Sequence, residues 1–396
     1  MAGIAAAPRG HKNAVTLAAA AVKAKPGIPA PRGRPLTLLP PARHSLSPFE
    51  ANVIEAGGAM ITELLEKVGR GQDLTRQELA FALDDLIDGG CPDLQFAGLL
   101  MGLRVKGETV EELIGAASVL RARALKLPLK TRPTLCTAGT GGDGAGGLNL
   151  STTAAIIAAG AGVSVAKHGN RAVSSKSGSS DVLEALGVPV DLSIEATARG
   201  IETIGIGFLF APLYHPATKA VVTIRRTLGV RTLFNLLGPL TNPAHVRTQC
   251  VGVYHPSKLR TMAEALAGLE CERGLVISAE VGLDEVAPLG RTHVAALKKG
   301  EIEVFTVTPA DFGFEERPLD SIKGGTPQEN AAALLAILRG EDHPGRPAVL
   351  MNAAAALVAA DAAGDFREGV ALADQAIASG AALAKLDGLR ALKNEA

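Results

Sequence analysis

Three features of this 396-residue chain predict an α/β fold: a largely parallel central sheet flanked by helices, preceded by a smaller all-helical domain. From about Asn52 to Ala124, apolar residues recur at helical spacing and no strand-like run interrupts them. After Leu127, short β-like runs alternate with amphipathic or Ala-rich stretches, the pattern of parallel strands joined by crossover helices. Between one such run and the helix after it lie nine residues, Gly139 to Gly147, of which seven are Gly or Ala.

The elements can be justified in order. Residues 1–49 are rich in Ala and Pro and carry seven basic residues with no Asp or Glu, so they read as a disordered tail. A start assigned too early, with Met60 as the true one, belongs to the same plain reading, and a transit or signal peptide is the alternative. Ile61, Leu64, Leu65 and Val68 then fall on one helical face. Thr75 with Glu78 and Thr109 with Glu112 have capping-box spacing, and between them Leu79, Leu83, Leu86 and Phe96, Leu99, Leu100, Leu103 repeat helically. Four short helices in succession are expected. Strands are expected over Thr134 to Ala138, Val163 to Ala166, Gly207 to Phe210, Val251 to Tyr254 and Gly274 to Ser278. Helices should fill Thr152 to Ala161, Asp181 to Leu186, Ile194 to Ile204 and Ser257 to Leu269. In such a sheet, ligands gather at the C-terminal ends of the strands.

Composition excludes several classes of function. Forty Lys and Arg balance forty Asp and Glu, and removing the tail leaves 33 basic against 40 acidic residues, so no basic field draws nucleic acid. With no Trp and 3% aromatic residues the chain lacks a base-stacking platform. Its longest uncharged stretch, Gly144 to Ala166, contains Gly, Asn, Ser and Thr that argue against a membrane span. Cys91, Cys136, Cys250 and Cys271 are scattered without metal spacing and read as small core residues in a reducing, cytoplasmic compartment.

The chemistry concentrates after the first strand. In Gly139-Thr-Gly-Gly-Asp143-Gly-Ala-Gly-Gly147, backbone N–H groups can approach a ligand unobstructed and form an anion nest. Neither Rossmann nor Walker spacing is present, and a flexible turn is the plain alternative. Asp143 would repel phosphate unless it bonds a sugar hydroxyl or a metal-bound water. Asn149-Leu-Ser151-Thr152 opens the next helix, where its hydroxyls either cap the helix or bind phosphate and Mg²⁺. Lys167-His168-Gly-Asn170-Arg171 ends the second strand, and Ser174 to Asp181, including Ser179, opens another helix. Converging on one place, these clusters suit a polyphosphate.

These segments resemble the anthranilate phosphoribosyltransferases of the nucleoside phosphorylase and phosphoribosyltransferase superfamily. The resemblance rests on GTGGDG, NLST, VAKHGNRAVSSKSGSSDVLEALG, FLFAPLYHPA, RRTLGVRTLFNLLGPLTNPA and GLDE, with GQDLTRQEL and LRVKGETVEELIGAASVLR in the helical part, and covers about residues 58 to 390. It implies transfer of phosphoribosyl from 5-phosphoribosyl 1-pyrophosphate to the amine of anthranilate, in tryptophan synthesis. By the same resemblance Gly139, Thr140, Gly142, Asp143, Asn149, Ser151, Thr152, Lys167 and Ser179 hold phosphoribosyl pyrophosphate. Gly139, His168, Asn170, His215, Arg225, Gly238 and Pro239 line the anthranilate path. Ser151, with the acidic pair Asp284-Glu285, provides for two Mg²⁺.

The resemblance also implies a homodimer formed through the helical domain, and no acid–base residue is required. We therefore expect a tail over 1–51, a helical domain over 52–124 with a returning segment near 217–241, and an α/β domain over 125–216 and 242–396. Two rivals are weaker. A pyrimidine nucleoside phosphorylase would carry Lys-His-Ser-Thr-Gly-Gly, which is absent, and a nucleic-acid-binding paralogue would carry a basic face. The chain departs from the family at Val276-Ile-Ser278-Ala-Glu-Val281, where relatives usually have His-Gly and a further Asp, and at Gly147-Leu148, where many have Thr-Phe.

Overall fold

The computed structural model describes residues 60–130, 135–141, 147–172 and 176–394. The expected tail, residues 52–59 of the helical segment, and Gly142 and Asp143 of the glycine run lie outside the described residues.

Helix α1 occupies residues 60–69, followed by α2 (Arg76–Ile87), α3 (Asp93–Lys106) and α4 (Val110–Ala122). Both expected capping boxes form: the Thr75 hydroxyl accepts from Glu78 N and the Glu78 carboxylate from Thr75 N, and Thr109 and Glu112 do likewise. Glu112 does more than cap. Fully buried, it also accepts from Leu74 N at 2.8 Å and pairs with the Lys106 ammonium at 3.1 Å, pinning the α1–α2 and α3–α4 connections to one carboxylate. Burying that charge is tolerable because each of its oxygens has donors.

The chain continues through β1 (Leu135–Gly139), α5 (Leu150–Gly160), β2 (Val165–Gly169), α6 (Ser179–Ala185), α7 (Ile194–Ile204) and β3 (Ile206–Phe210). Next come α8 (Ala211–Tyr214), α9 (Lys219–Leu228), α10 (Leu233–Leu240), β4 (Thr248–Gly252), α11 (Leu259–Gly268) and β5 (Arg273–Ala279). The remainder is β6 (Thr292–Lys298), β7 (Glu301–Val307), α12 (Pro327–Leu338), α13 (Arg346–Ala359), α14 (Phe366–Ala378) and α15 (Ala381–Ala391). Apolar residues of α9 and α10, among them Val221, Ile224, Leu233 and Leu237, enter the same core as α1–α4.

The seven strands form one sheet in the order β3-β2-β1-β4-β5-β6-β7, parallel from β3 to β5 and antiparallel from β5 to β7. Alternation along the strands divides the core between two faces. Leu135, Val165, Leu275 and Ile277 pack with α5 and the C-terminal helices. Val251, Val276 and Leu297 pack with α11 and the helical bundle. Helix α5 has nine of its eleven residues buried, consistent with packing against α13, α14 and α15 as well as the sheet.

The hairpin of β6 and β7 was absent from the sequence reading. Its signal is the alternating run on either side of Lys299-Gly300, whose positive φ values of 52° and 86° make the two-residue turn of a hairpin. Strand order reverses between β1 and β4, in the register Gly139 opposite Gly252, and such a switch point opens a crevice at the strand C-termini.

Glu112→Ala is expected to destabilise the protein by about 3 kcal/mol, because it leaves Lys106 buried without its buried partner and two backbone N–H groups unpaired. A urea titration checks this, and a loss under about 1 kcal/mol would remove Glu112 from its central place.

Candidate active site

The switch point is built on close backbone approach. A Cβ on Gly252 would overlap the carbonyl of Asp284, and one on Gly139 would lie 2.5 Å from the Asp284 carboxylate, so both strand ends need glycine to admit the acidic loop. Asp284, 8% exposed, accepts from Gly141 N at 2.8 Å. Glu285 accepts from Ser151 N at 3.1 Å, so a distant carboxylate supplies the α5 N-terminus with an acceptor. Asn149 at the N-cap position makes no side-chain cap bond. Thr152 is buried within α5.

Oxygen donors therefore meet at the switch point: the Asp284 and Glu285 carboxylates and the Ser151 hydroxyl. With them lies a void of ≈ 10 Å³, lined by Thr137, Ser151, Cys250, Asp284, Glu285 and Asn352 and large enough for about one water-sized sphere. This donor set suits Mg²⁺, which binds through one or two carboxylates and takes its other ligands from waters and substrate phosphates. Among the described residues no group of three or more His, Cys, Asp or Glu forms a metal cage.

Lys167, 4% exposed, lies midway along β2, which runs on to Gly169 where the sequence predicts an end at Ala166; its ammonium donates to Thr137 O at 2.7 Å. Burial lowers its pKa, while nearby Cys136, Glu285 and Cys250 oppose that shift. Among the described residues no carboxylate forms an ion pair with it, and Thr137 O is the acceptor its amine meets.

Next along β2, His168 packs on His215 with ring centroids 5.1 Å apart, and both are buried. His168 Nδ1 is 3.2 Å from Gly238 O; a carbonyl only accepts, so Nδ1 carries the proton and the buried, unpartnered Nε2 only accepts. Burial, with His215 beside it, pushes the His168 pKa down to about 3, so the ring is neutral at physiological pH. Thus the structure brings His168, His215 and Gly238 together, with Pro239 buried beside Gly238 in α10.

Asn170 and Ser179 are joined: Ser179 Oγ accepts from Asn170 N and donates to Asn170 O, both at 3.1 Å. Gly169 has no Cβ because one would overlap that hydroxyl. Thr140 donates through its N–H to Gly252 O and accepts at Oγ1 from Tyr254 N, so its hydroxyl also serves the loop. Arg225 stands on α9 with its guanidinium over Phe234, 5.5 Å from the ring centroid, and no hydrogen bond among the described residues links it to either histidine. Burial lowers its pKa, and it has no carboxylate partner among the described residues.

Sequence reasoning missed three buried asparagines. Asn242 donates to Ala166 O and accepts from Ala244 N. Asn352 bonds both backbone groups of Val286, just after the acidic pair, and Asn330 reaches Asn149. Their only sequence signal is a polar residue within an apolar helix or turn, which is too common to single them out.

An acidic pair held against glycine strand ends at the crevice of a parallel sheet, beside a helical bundle, suits an α/β protein that binds an anionic ligand through a divalent cation. Comparison with known proteins is specific. Residues 131–383 match the a/b domain of the glycosyl transferase family, and residues 62–124 match its helical bundle domain. An anthranilate phosphoribosyltransferase of Anaeromyxobacter sp. (strain Fw109-5) is 51% identical over 327 residues, 83% of this chain and 97% of the relative. The solved anthranilate phosphoribosyltransferase of Thermus thermophilus superposes with a TM-score of 0.78 at 44% identity, over 83% of this chain and 99% of that one. That of Saccharomyces cerevisiae, in complex with PRPP and Mg, does so with 0.77 at 29% identity, over 84% and 97%. The chain belongs to the anthranilate phosphoribosyltransferase family of glycosyl transferases.

Because His168 is neutral when folded but has the ordinary value of 6.5 when unfolded, the unfolded chain binds more protons below that value. This contribution to stability is complete above about pH 6.5 and is lost as pH falls toward about 3. The difference in melting temperature between about pH 7.5 and about pH 5 should narrow in His168→Gln, and an undiminished difference would locate the acid sensitivity elsewhere.

Proposed function

We propose that the protein transfers the phosphoribosyl group of 5-phosphoribosyl 1-pyrophosphate to the amine of anthranilate, releasing pyrophosphate, as a step of tryptophan synthesis. The observation that carries this reading is the Asp284-Glu285 pair seated on Gly139, Gly141 and Ser151 at the sheet's switch point, in a chain of this family. The S. cerevisiae relative solved with PRPP and Mg, and the same relative with 4-fluoroanthranilate (TM-score 0.76, 29% identity, covering 84% of this chain and 96% of that one), support the two substrates.

In this reading Gly139, Thr140, Gly142, Asp143, Asn149, Ser151, Thr152, Lys167 and Ser179 hold the phosphoribosyl pyrophosphate. Ser151, Asp284 and Glu285 hold Mg²⁺, in two sites. Bound there, Mg²⁺ offsets charge on the pyrophosphate and makes it a better leaving group.

The bond between the anomeric carbon and the pyrophosphate oxygen breaks with its electron pair going to pyrophosphate. The anthranilate nitrogen bonds to that carbon and loses one of its protons to the released pyrophosphate or to water. A cation-like ribose accepts a weakly basic amine without a strong base, which fits a histidine pair that is neutral and unable to donate from His168 Nε2. Gly139, His168, Asn170, His215, Gly238 and Pro239 line the amine's path. Arg225, desolvated and lacking an anionic partner among the described residues, takes the anthranilate carboxylate.

The chain reads as a helical domain over 52–124 with 217–241 returned to it, and an α/β domain over the rest after the tail. Large apolar side chains stand exposed on its helical part, Leu94 at 85% and Val105 at 82% on α3 and Val222 at 52% on α9, which supports a homodimer through this surface. No helix among the described residues is long and apolar enough to cross a membrane, and we place the enzyme in the cytoplasm.

Purified protein should consume anthranilate fluorescence only with phosphoribosyl pyrophosphate and Mg²⁺, and Asp284→Ala/Glu285→Ala should abolish this. Turnover unaffected by chelation would sink the metal assignment. Arg225→Ala should raise the anthranilate KM about tenfold or more while leaving that for phosphoribosyl pyrophosphate nearly unchanged. Leu94→Glu/Val105→Glu should convert dimer to monomer in sedimentation; a wild-type monomer would refute the dimer.

A further inference from the structure

We propose that Asn330, on α12 and far in sequence from the glycine run, is a positioning residue for the phosphoribosyl pyrophosphate site, acting through Asn149 and Gly147. This rests on the substrate reading above. Asn330 is 1% exposed and its whole amide is engaged. Nδ2 donates to Asn149 Oδ1 at 2.9 Å and to Gly147 O at 3.3 Å, while Oδ1 accepts from Gly325 N at 2.8 Å. Asn149 in turn donates from Nδ2 to Ser177 O at 3.1 Å, and its Oδ1 also accepts from the Ser177 hydroxyl at 3.3 Å.

The polarity of this relay is forced at both ends. Gly325 N–H only donates, so it meets Asn330 Oδ1, and Ser177 O only accepts, so it meets Asn149 Nδ2. Between them, Asn330 Nδ2 must face Asn149 Oδ1, and neither amide can flip without setting like against like. One side chain therefore fixes the rotation of the Asn149 amide and holds the last residue of the glycine run. The backbone reinforces it: Leu148 N donates to Ile322 O at 2.9 Å, and Gly147 bridges to Lys323. The segment from Ile322 to Asn330 thus clamps Gly147 to Asn149.

Helix stability alone does not account for the residue. The α12 N-terminus has its own capping box, in which Thr326 and Glu329 satisfy each other's backbone N–H. What Asn330 adds is the pair of donors aimed out of the helix at the phosphate loops.

Asn330→Asp tests this because it preserves size and the bond from Gly325, yet puts an oxygen against two acceptors. Binding of phosphoribosyl pyrophosphate with Mg²⁺ to the full chain would be measured by calorimetry for wild type, Asn330→Asp, Asn149→Ala and the double variant, with melting temperatures alongside. We expect binding weakened about tenfold or more in Asn330→Asp, an anthranilate KM within about twofold of wild type, and less than about twofold further loss when the change is added to Asn149→Ala. Affinity within about twofold of wild type, or losses that add fully in the double variant, would overturn the proposal. Should Asn330→Asp not fold, Asn330→Ser, which withdraws the donors without adding charge, is read by the same criteria. A wild-type protein that binds no phosphoribosyl pyrophosphate would instead overturn the substrate reading on which the proposal stands.

Discussion

The site depends on one steric constraint, the passage of the Asp284 backbone across the ends of β1 and β4. Gly139 and Gly252 stand opposite each other in the sheet, and a side chain on either would meet Asp284. With both Cβ atoms absent, the acidic loop settles against the switch point, so that Gly141 N bonds Asp284 and Ser151 N bonds Glu285. The glycine run, the α5 N-terminus and the acidic pair are thereby held in one place by the sheet itself. Parallel pairing of β1 with β4 makes this possible, because only at the strand-order reversal do two connections leave the sheet on opposite sides.

Two basic side chains of the proposed site are desolvated. Lys167 is buried with its amine donating to a neutral carbonyl, and Arg225 is desolvated and packed on an aromatic ring. By contrast Arg171, in the same motif as Lys167, is spent on Asp181 and Glu184 and serves the loop before α6. Burial lowers the pKa of both histidines, and His215 adds to the shift of His168. Glu285 lies where the α5 N-terminus would attract phosphate, so an incoming anion and the acidic pair share the helix's donors, an arrangement that a divalent cation between them reconciles.

Buried side-chain amides tie the loops to the rest of the fold. An amide offers donors and acceptor at once, so Asn352 can match both backbone groups of Val286 and Asn242 can tie β2 to the turn after α10. Buried and satisfied, such groups specify a single geometry at little net cost.

Local rules made much of the fold legible in the sequence. The capping boxes at Thr75 and Thr109, the helical period around Leu79 and Leu99, and the five parallel strands follow from propensity and spacing within a few residues. The segments proposed to hold the ligand stand out by equally local signals, since Gly169 and the glycines of 139 to 147 mark backbone that turns tightly or is closely approached. Only tertiary structure decided the partners. Asp284 reads as a solvated turn until Gly252 admits it, Glu112 as a cap until Leu74 and Lys106 close on it, and Asn330 as one more helical polar residue until Asn149 meets it. Most of these contacts join segments far apart along the chain. A local pattern encodes what a residue does to its own turn of backbone, while the partner of a buried polar group is set by how the whole sheet and its covering helices pack.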